Sequence, residues 1–341
     1  MRSRLSRASL LIAALVVALM LAACSDATPT TSPRITVRIT HAGNAQTNYG
    51  RGAQRFTELA AAKTGGRVQV EISTDLGIAG GDNVKALDML QKGDIEATLH
   101  SNLIYAGIEP RMEVFSLPYV MASRDNAYKA VDGPAGQELL KGLEQKGIVG
   151  LAYGENGFRQ LTNAVRPITR PQDMAGLKVR VPETRLYVDT VRALGAEPVV
   201  MTFTGVYDAL KARTIDGQEN PLSIIYPSRL YEVQRYLTVW DYSWDTVVLG
   251  FNKAFWDKLP SDVRSALRDA ARESMLYMRD QVRGDDGSLL EELKKQGMEV
   301  AVLTTDQKKA FVDATAPLYA VAEGRIGKAL MDQVRRTGQG G

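Results

Sequence analysis

Ile35-Thr36-Val37-Arg38-Ile39-Thr40 alternates apolar and polar side chains, the period-two pattern of a half-buried strand. Downstream of it, residues 48–64 read as a helix stopped by Gly65-Gly66. Residues 68–73 alternate again, residues 83–92 read as a helix ended by Gly93, and residues 95–100 as a third strand. A β-α-β-α-β opening predicts a parallel or mixed sheet wrapped by helices. A fourth strand is expected at residues 147–153. After Pro167 and Pro171 come a strand at 177–181, a helix at 183–194, a strand at 197–201 and a helix at 205–212. This second β-α-β-α unit predicts a second domain, and the length of 341 residues, at roughly 150 per domain, agrees. Residues 246–252 are apolar and strand-like, and can return the chain to the first domain. In residues 261–283, Val263, Leu267, Ala270, Ala271, Met275, Met278 and Val282 form one apolar stripe of a long helix. A last strand is expected at 297–303, helix over most of 305–336, and a frayed tail at 338–341. The expected boundaries are residues 34–155 plus about 246–285 for domain I, and 156–245 plus about 286–341 for domain II.

The first residues read as an address. Arg2, Arg4 and Arg7 precede an uncharged run over residues 8–23, shorter than the roughly 18–20 residues that span a bilayer. The run ends Leu21-Ala22-Ala23-Cys24, which looks like a bacterial lipobox. Lipoprotein precursors of this kind are cleaved before the cysteine, so residues 1–23 are expected to be a signal peptide and Cys24 to be lipidated. An ordinary signal with a chance cysteine is the alternative. Residues 25–33, rich in Ser, Thr and Pro, read as a tether. Cys24 is the only cysteine, so no internal disulfide, thiol nucleophile or cysteine-based metal site is expected. Without the three leader arginines, 39 basic residues face 39 acidic ones. That balance lacks the basic surplus of a nucleic-acid binder.

The usual parts of hydrolases, zinc enzymes and nucleotide-binding enzymes are missing: the chain has no G-x-S-x-G, H-E-x-x-H, P-loop or G-x-G-x-x-G motif. Neither catalysis nor a metal or cofactor is expected. Binding chemistry is better represented. In open α/β sheets ligands gather at the carboxyl ends of strands. His41 and His100 both fall there, and His100 is followed by Ser101-Asn102, although either histidine can merely finish a strand. In Leu177-Lys178-Val179-Arg180-Val181-Pro182, alternation puts Lys178 and Arg180 on one face. A guanidinium on a rigid strand offers paired donors to a carboxylate; a surface salt bridge is the plainer use. Arg159, in Gly157-Phe158-Arg159-Gln160, is a second candidate. Asp216-Gly217-Gln218-Glu219-Asn220-Pro221 reads as a polar loop, either ligand-holding or simply capping. Trp240, Tyr242 and Trp244 can form a pocket wall or a packed core.

Taken in order, these segments resemble the solute-binding proteins of tripartite ATP-independent periplasmic (TRAP) transporters. The resemblance runs over about residues 35–330. It rests on residues 177–182, Met201-Thr202-Phe203-Thr204-Gly205-Val206-Tyr207 and residues 216–221. Thr64-Gly65-Gly66-Arg67, Gly93-Asp94-Ile95-Glu96, Leu117-Pro118-Tyr119 and the Gly157–Asn163 region fit the same pattern. The resemblance implies a two-domain, periplasmic-binding-protein-like α/β fold, each domain a sheet flanked by helices, with a ligand cleft between domains and a long connecting helix. By position, Arg180 would hold a solute carboxylate, Arg159 and Asn220 would add polar contacts, and Phe203 would form a wall. His41, Ser101 and Asp82 fall at further contact positions, and Trp240 is included as a wall candidate. The lipobox departs from the many members that diffuse freely in the periplasm. A sugar acid or other hydroxy acid is the preferred solute and a C4-dicarboxylate the alternative, for which Arg159 would be the second cation. The resemblance also implies integral membrane subunits as partners; the lipobox implies an exported, membrane-anchored location, and a monomer is expected. A ligand-delivering sensor partner and, remotely, a carboxylate-dependent hydrolase are the rival classes.

Overall fold

The computed structural model describes residues 34–340. The signal, lipidation and tether readings fall on residues 1–33 and lie outside the described residues. The elements are β1 (Ile35–Thr40), α1 (Asn48–Lys63), β2 (Val68–Ser73), α2 (Asn83–Lys92), β3 (Ala97–Ser101), the short α3 (Asn102–Tyr105), α4 (Arg124–Asp132), α5 (Pro134–Glu144) and β4 (Ile148–Asn163). There follow β5 (Lys178–Val181), α6 (Arg185–Ala193), β6 (Glu197–Val200), α7 (Val206–Lys211), β7 (Gly217–Pro221), the short α8 (Leu222–Ile225), β8 (Tyr236–Val239), β9 (Trp244–Asn252), α9 (Lys253–Lys258) and α10 (Ser261–Lys295). The chain ends with β10 (Glu299–Val302), α11 (Thr305–Thr315), α12 (Leu318–Ile326) and α13 (Lys328–Gln339).

The strands run in the order β2-β1-β3-β9-β4-β7-β5-β6, with β8 pairing both β4 and β10. The β-α units make their pairs parallel, while β9 lies antiparallel between β3 and β4, as the returning apolar strand predicts. The decisive element is β4, 16 residues long and far longer than the alternation near its start suggests. Its first part, through Phe158, pairs with β9; from Arg159 onward it pairs with β7, and from Leu161 with β8 as well. The strand thus passes from one half of the sheet to the other. The register with β9 slips between Glu155 and Gly157, and Gly157 sits at φ 128°, where a side chain would be strained and its Cβ would meet Pro221 at 3.0 Å.

Residues 216–221 are not a loop. Gly217–Pro221 is a fully buried strand between β4 and β5. Its polar side chains survive burial because each has a partner: Gln218 donates to Thr162 Oγ1 (2.9 Å), Asn220 donates to Gln218 Oε1 (2.7 Å), and Glu219 accepts from Arg159 and Tyr242. Periodicity cannot announce such a strand, because the hydrophobic pattern is absent. Nor is the C-terminus frayed through residue 340. Gly338 and Gln339 continue α13, and the Gly338 carbonyl accepts from the Ala122 backbone N–H at 2.8 Å. A Cβ on Gly338 would meet the Val120 carbonyl at 2.4 Å, so only glycine lets the helix dock this closely.

Helix α10 is 35 residues long and continues past Arg283, the end expected from its apolar stripe, through Gly284-Asp285-Asp286-Gly287-Ser288. Tertiary ion pairs hold it: Arg51 with Asp285 (2.7 Å), Arg124 with Asp286 and Arg283 with Asp125. Earlier on the helix, Met275 and Met278 pack where Gly52 and Gly154 leave room against α1 and β4. Among the described residues no helix is long and apolar enough to cross a membrane. A Cβ at Gly284 or Gly287 meets open space. Gly284→Ala and Gly287→Ala are therefore expected each to raise unfolding stability by about 0.5–1 kcal/mol, read by urea titration, because alanine removes backbone freedom from the unfolded chain.

Candidate functional site

Strand β5 carries Arg180 between the fully buried Val179 and Val181. Alternation does place Lys178 and Arg180 on one face. Lys178 at the strand's start reaches solvent, whereas Arg180, two residues on, is 2% exposed. Its Nε donates to the Met201 carbonyl (2.9 Å), and its guanidinium lies 5.8 Å from the centre of the Phe203 ring. Among the described residues it has no salt bridge. Burial pushes its pKa down to about 10, against the pull of Glu219 and Glu183, which still leaves it cationic at neutral pH. A buried ion without a counterion costs several kcal/mol, so this side chain is poised for an anion.

Arg159 is equally buried but differently placed. It stands where β4 changes partner, and its Nε and Nη2 engage the two carboxylate oxygens of Glu219 (Nη2 to Oε1 2.8 Å). Nη2 also donates to the Glu219 carbonyl (2.7 Å) and Asn220 Oδ1 (3.1 Å), and Nη1 donates to Asp245 Oδ2 (2.5 Å). Burial alone would lower its pKa, but Glu219 and Asp245 outweigh burial and hold it well above the ordinary guanidinium value. Asp245, 0% exposed, also accepts from Ser101 Oγ (2.6 Å) and Asn156 Nδ2 (2.7 Å).

These groups enclose a cavity of about 50 Å³. Its polar lining is Tyr49, Asn83, His100, Ser101, Asn156, Arg159, Arg180, Asn220 and Asp245; Leu103, Ile104, Phe203 and Ile224 form much of the apolar part. His100 is held neutral, its pKa pushed down to about 3 by burial and then by the neighbouring His41. The lip is bridged from both sides. Thr202 and Thr204 hydroxyls each donate to the Gly81 carbonyl (3.0 Å), and Asn83 Nδ2 donates to Thr202 Oγ1 (3.2 Å) and Glu183 Oε2 (3.3 Å).

Of the residues singled out from sequence, Arg180, Arg159, Asn220, Phe203 and Ser101 meet at this cavity, and His41, Asp82 and Trp240 do not. His41 is buried one layer back, stacked on Tyr49 with ring centres 6.2 Å apart, and burial lowers its pKa to about 4. Asp82 caps α2 by accepting from the Lys85 N–H (2.8 Å), and the cavity residue is its neighbour Asn83. Trp240 packs against Tyr242 and Phe311 (4.7 and 5.3 Å between ring centres) and borders a separate, more open cleft of about 1080 Å³ with Tyr119, Phe158 and Asp241. Asn102, in the polar cluster after β3, serves structure by donating to the Met112 carbonyl (2.8 Å). Sequence reading missed Tyr49, Asn156 and Asp245. A polar pair, Glu155-Asn156, inside a buried strand was the available signal; for Asp245 there was none beyond a carboxylate at the head of an apolar run.

A cavity between two halves of an α/β sheet, lined by hydrogen-bond donors and a buried cation without a salt bridge among the described residues, is a ligand site with chemistry suited to an anion. Comparison with known proteins makes the class specific. The model of the family described as bacterial extracellular solute-binding protein, family 7, matches residues 39–324, and this chain belongs to that family, the TRAP solute-binding proteins. It is an extracytoplasmic, non-enzymatic component of transport. The C4-dicarboxylate-binding periplasmic protein DctP of Rhodobacter capsulatus is 34% identical over 310 residues, covering 90% of this chain and 92% of the relative. The crystal structure of a TRAP periplasmic solute-binding protein from Ralstonia eutropha with bound (S)-2-acetolactate superposes with a TM-score of 0.87 at 27% identity, covering 90% of this chain and 99% of the other. The sugar acid binding protein DctPAm from Advenella mimigardefordensis, in complex with galactonate, also gives 0.87, at 30% identity and coverage of 90% and 99%. The two-lobed, periplasmic-binding-protein-like α/β fold with its long helix, here α10, is therefore established.

The two arginines should behave oppositely in unfolding. Arg159→Met leaves Glu219 and Asp245 buried without their cation and is expected to cost about 3–5 kcal/mol. Arg180→Met removes a buried cation that has no salt bridge among the described residues, and should leave stability unchanged or raise it by up to about 4 kcal/mol. Urea unfolding of the two variants in ligand-free buffer checks the contrast.

Proposed function

We propose that this protein captures a small hydroxylated organic acid outside the cytoplasm, a sugar acid or other hydroxy acid, and delivers it to the integral membrane subunits of a TRAP transporter. The observation that carries the reading is Arg180: a buried guanidinium with no salt bridge among the described residues, facing the cavity. Its free N–H groups match a carboxylate in bidentate fashion. Phe203 forms the wall beside it, and Asn220 and Arg159 supply further polar contacts. At the other end, Tyr49, neutral His100, Ser101 and Asn156 are donors and acceptors suited to hydroxyl groups. The acids held by the two structural relatives, acetolactate and galactonate, are of this kind.

Closure is the event that reports binding. The domains proposed are residues 34–155 plus about 246–285, and 156–245 plus about 286–341, hinged where β4 passes from β9 to β7. Contacts across the lip exist only when the two approach, so a solute that bridges them shifts the population toward the closed form. We further propose that Cys24 is lipidated after removal of residues 1–23 and that residues 25–33 tether a monomeric binding domain to the membrane surface. Cys24→Ser should release the protein from the detergent phase to the aqueous phase on Triton X-114 partition; unchanged partition would refute the anchor.

The C4-dicarboxylate reading is favoured by the names of several relatives, the Rhodobacter protein among them, and by two structural relatives solved with bound succinate. A thermal-shift screen of the lipid-free mature domain against mono- and dicarboxylic acids is the discriminating experiment. A solute at 100 times its Kd should stabilise the fold by about 2.7 kcal/mol. Arg180→Ala should weaken the solute so found by about 2–5 kcal/mol in calorimetry. Near-wild-type affinity in that variant overturns the assignment of Arg180.

A further inference from the structure

We propose that Asp245 sets the charge of the solute, so that the cavity admits acids with one carboxylate and rejects those with two. The proposal rests on Arg180 being the carboxylate partner.

Two guanidinium groups line the cavity. By a count of cations alone, a dicarboxylate fits, one carboxylate to each. The surroundings break that symmetry. Arg180 gives one N–H to a backbone carbonyl and has no carboxylate partner among the described residues. Arg159 has two, Glu219 and Asp245, so this cluster of one cation and two carboxylates carries a net negative charge. All three members are almost fully buried, at 3%, 1% and 0% exposure, where water screens poorly.

Of the two carboxylates only Asp245 faces the cavity. It is also fixed in place. Ser101 Oγ and Asn156 Nδ2 donate to its two oxygens, while Arg159 Nη1 takes one of them. The remaining Arg159 nitrogens are committed to Glu219 and Asn220. Nη1 carries two N–H groups, and one goes to Asp245. What Arg159 has left for a solute is a single donor, the complement of a hydroxyl or keto oxygen. A carboxylate brought to that point would meet the fixed Asp245 carboxylate, and like charges placed together at a buried contact are strongly discriminated against. A hydroxyl there can accept from Nη1 and donate to Asp245.

The test uses acid pairs that differ in one terminal group: D-erythronate against meso-tartrate, galactonate against galactarate, and monomethyl succinate against succinate. Calorimetry on the wild-type mature domain is expected to give, for any pair that binds, a Kd at least about tenfold lower for the monocarboxylate. Asp245→Asn keeps the size and one acceptor oxygen but removes the charge, and should move the ratio by about tenfold or more toward the dicarboxylate. Its folding is checked by its melting curve, and Asp245→Ser replaces it if asparagine is not tolerated. Equal wild-type affinity within the pairs overturns the proposal. So does an unchanged ratio in the neutral variant; in either case, loss of binding in Arg180→Ala would leave the carboxylate-capture reading standing. Failure of every acid to bind the wild type overturns that reading, and the proposal with it.

Discussion

The buried ion cluster of Arg159 with Glu219 and Asp245 is the interaction on which the architecture turns. Each member comes from a different strand: Arg159 from β4, Glu219 from β7 in one half of the sheet, Asp245 from β9 in the other. Three charges out of water are tolerable only with geometry that satisfies nearly every donor and lone pair, and here Tyr242, Ser101, Asn156 and Asn220 complete the set. The cluster sits where β4 leaves β9 and joins β7. A network that spans the crossover fixes the two halves to a common reference without welding their outer parts together.

The second arginine shows the opposite solution. Arg180 is as deeply buried and has one backbone acceptor in place of two carboxylates. Stability alone would not select such a side chain, since an apolar residue of similar volume would avoid the desolvation cost. Retaining an uncompensated charge stores a demand for an anion, and a solute that meets it gains the attraction that Arg159 has already spent on its own protein. The two guanidiniums therefore divide the work: one organises the crossover of β4, the other is reserved for the proposed solute.

Much of the fold was legible because its outer layers obey simple periodicity. The opening β-α-β-α-β unit, the β5–β6 unit and the apolar stripe of α10 follow from spacing, caps and glycines. The failures share a cause. Strand β7, Gly217-Gln218-Glu219-Asn220-Pro221, has no apolar pattern because its neighbours supply partners for polar side chains. The far end of α10 crosses two glycines because Arg51 and Arg124 hold the acids between them. In the site, Arg180 stood out by residue type on a short strand, while Phe203, after β6, came from the family resemblance. Asp82 was one residue from the cavity because an aspartate before a helix caps it; His41 went to packing one layer back, and Trp240 to the border of the separate cleft.

Sequence by itself determined the alternation of strands and helices, the family resemblance, the charge balance and the presence of two candidate arginines, since all of these are properties of residue type and local spacing. Tertiary structure alone decided which arginine has a free charge. Glu219 is 60 residues from Arg159 and Asp245 is 86. No local pattern brings them together; the crossing of β4 between two strands does. Electrostatic character in a buried site belongs to the set of neighbours, and that set is fixed only when the chain has folded.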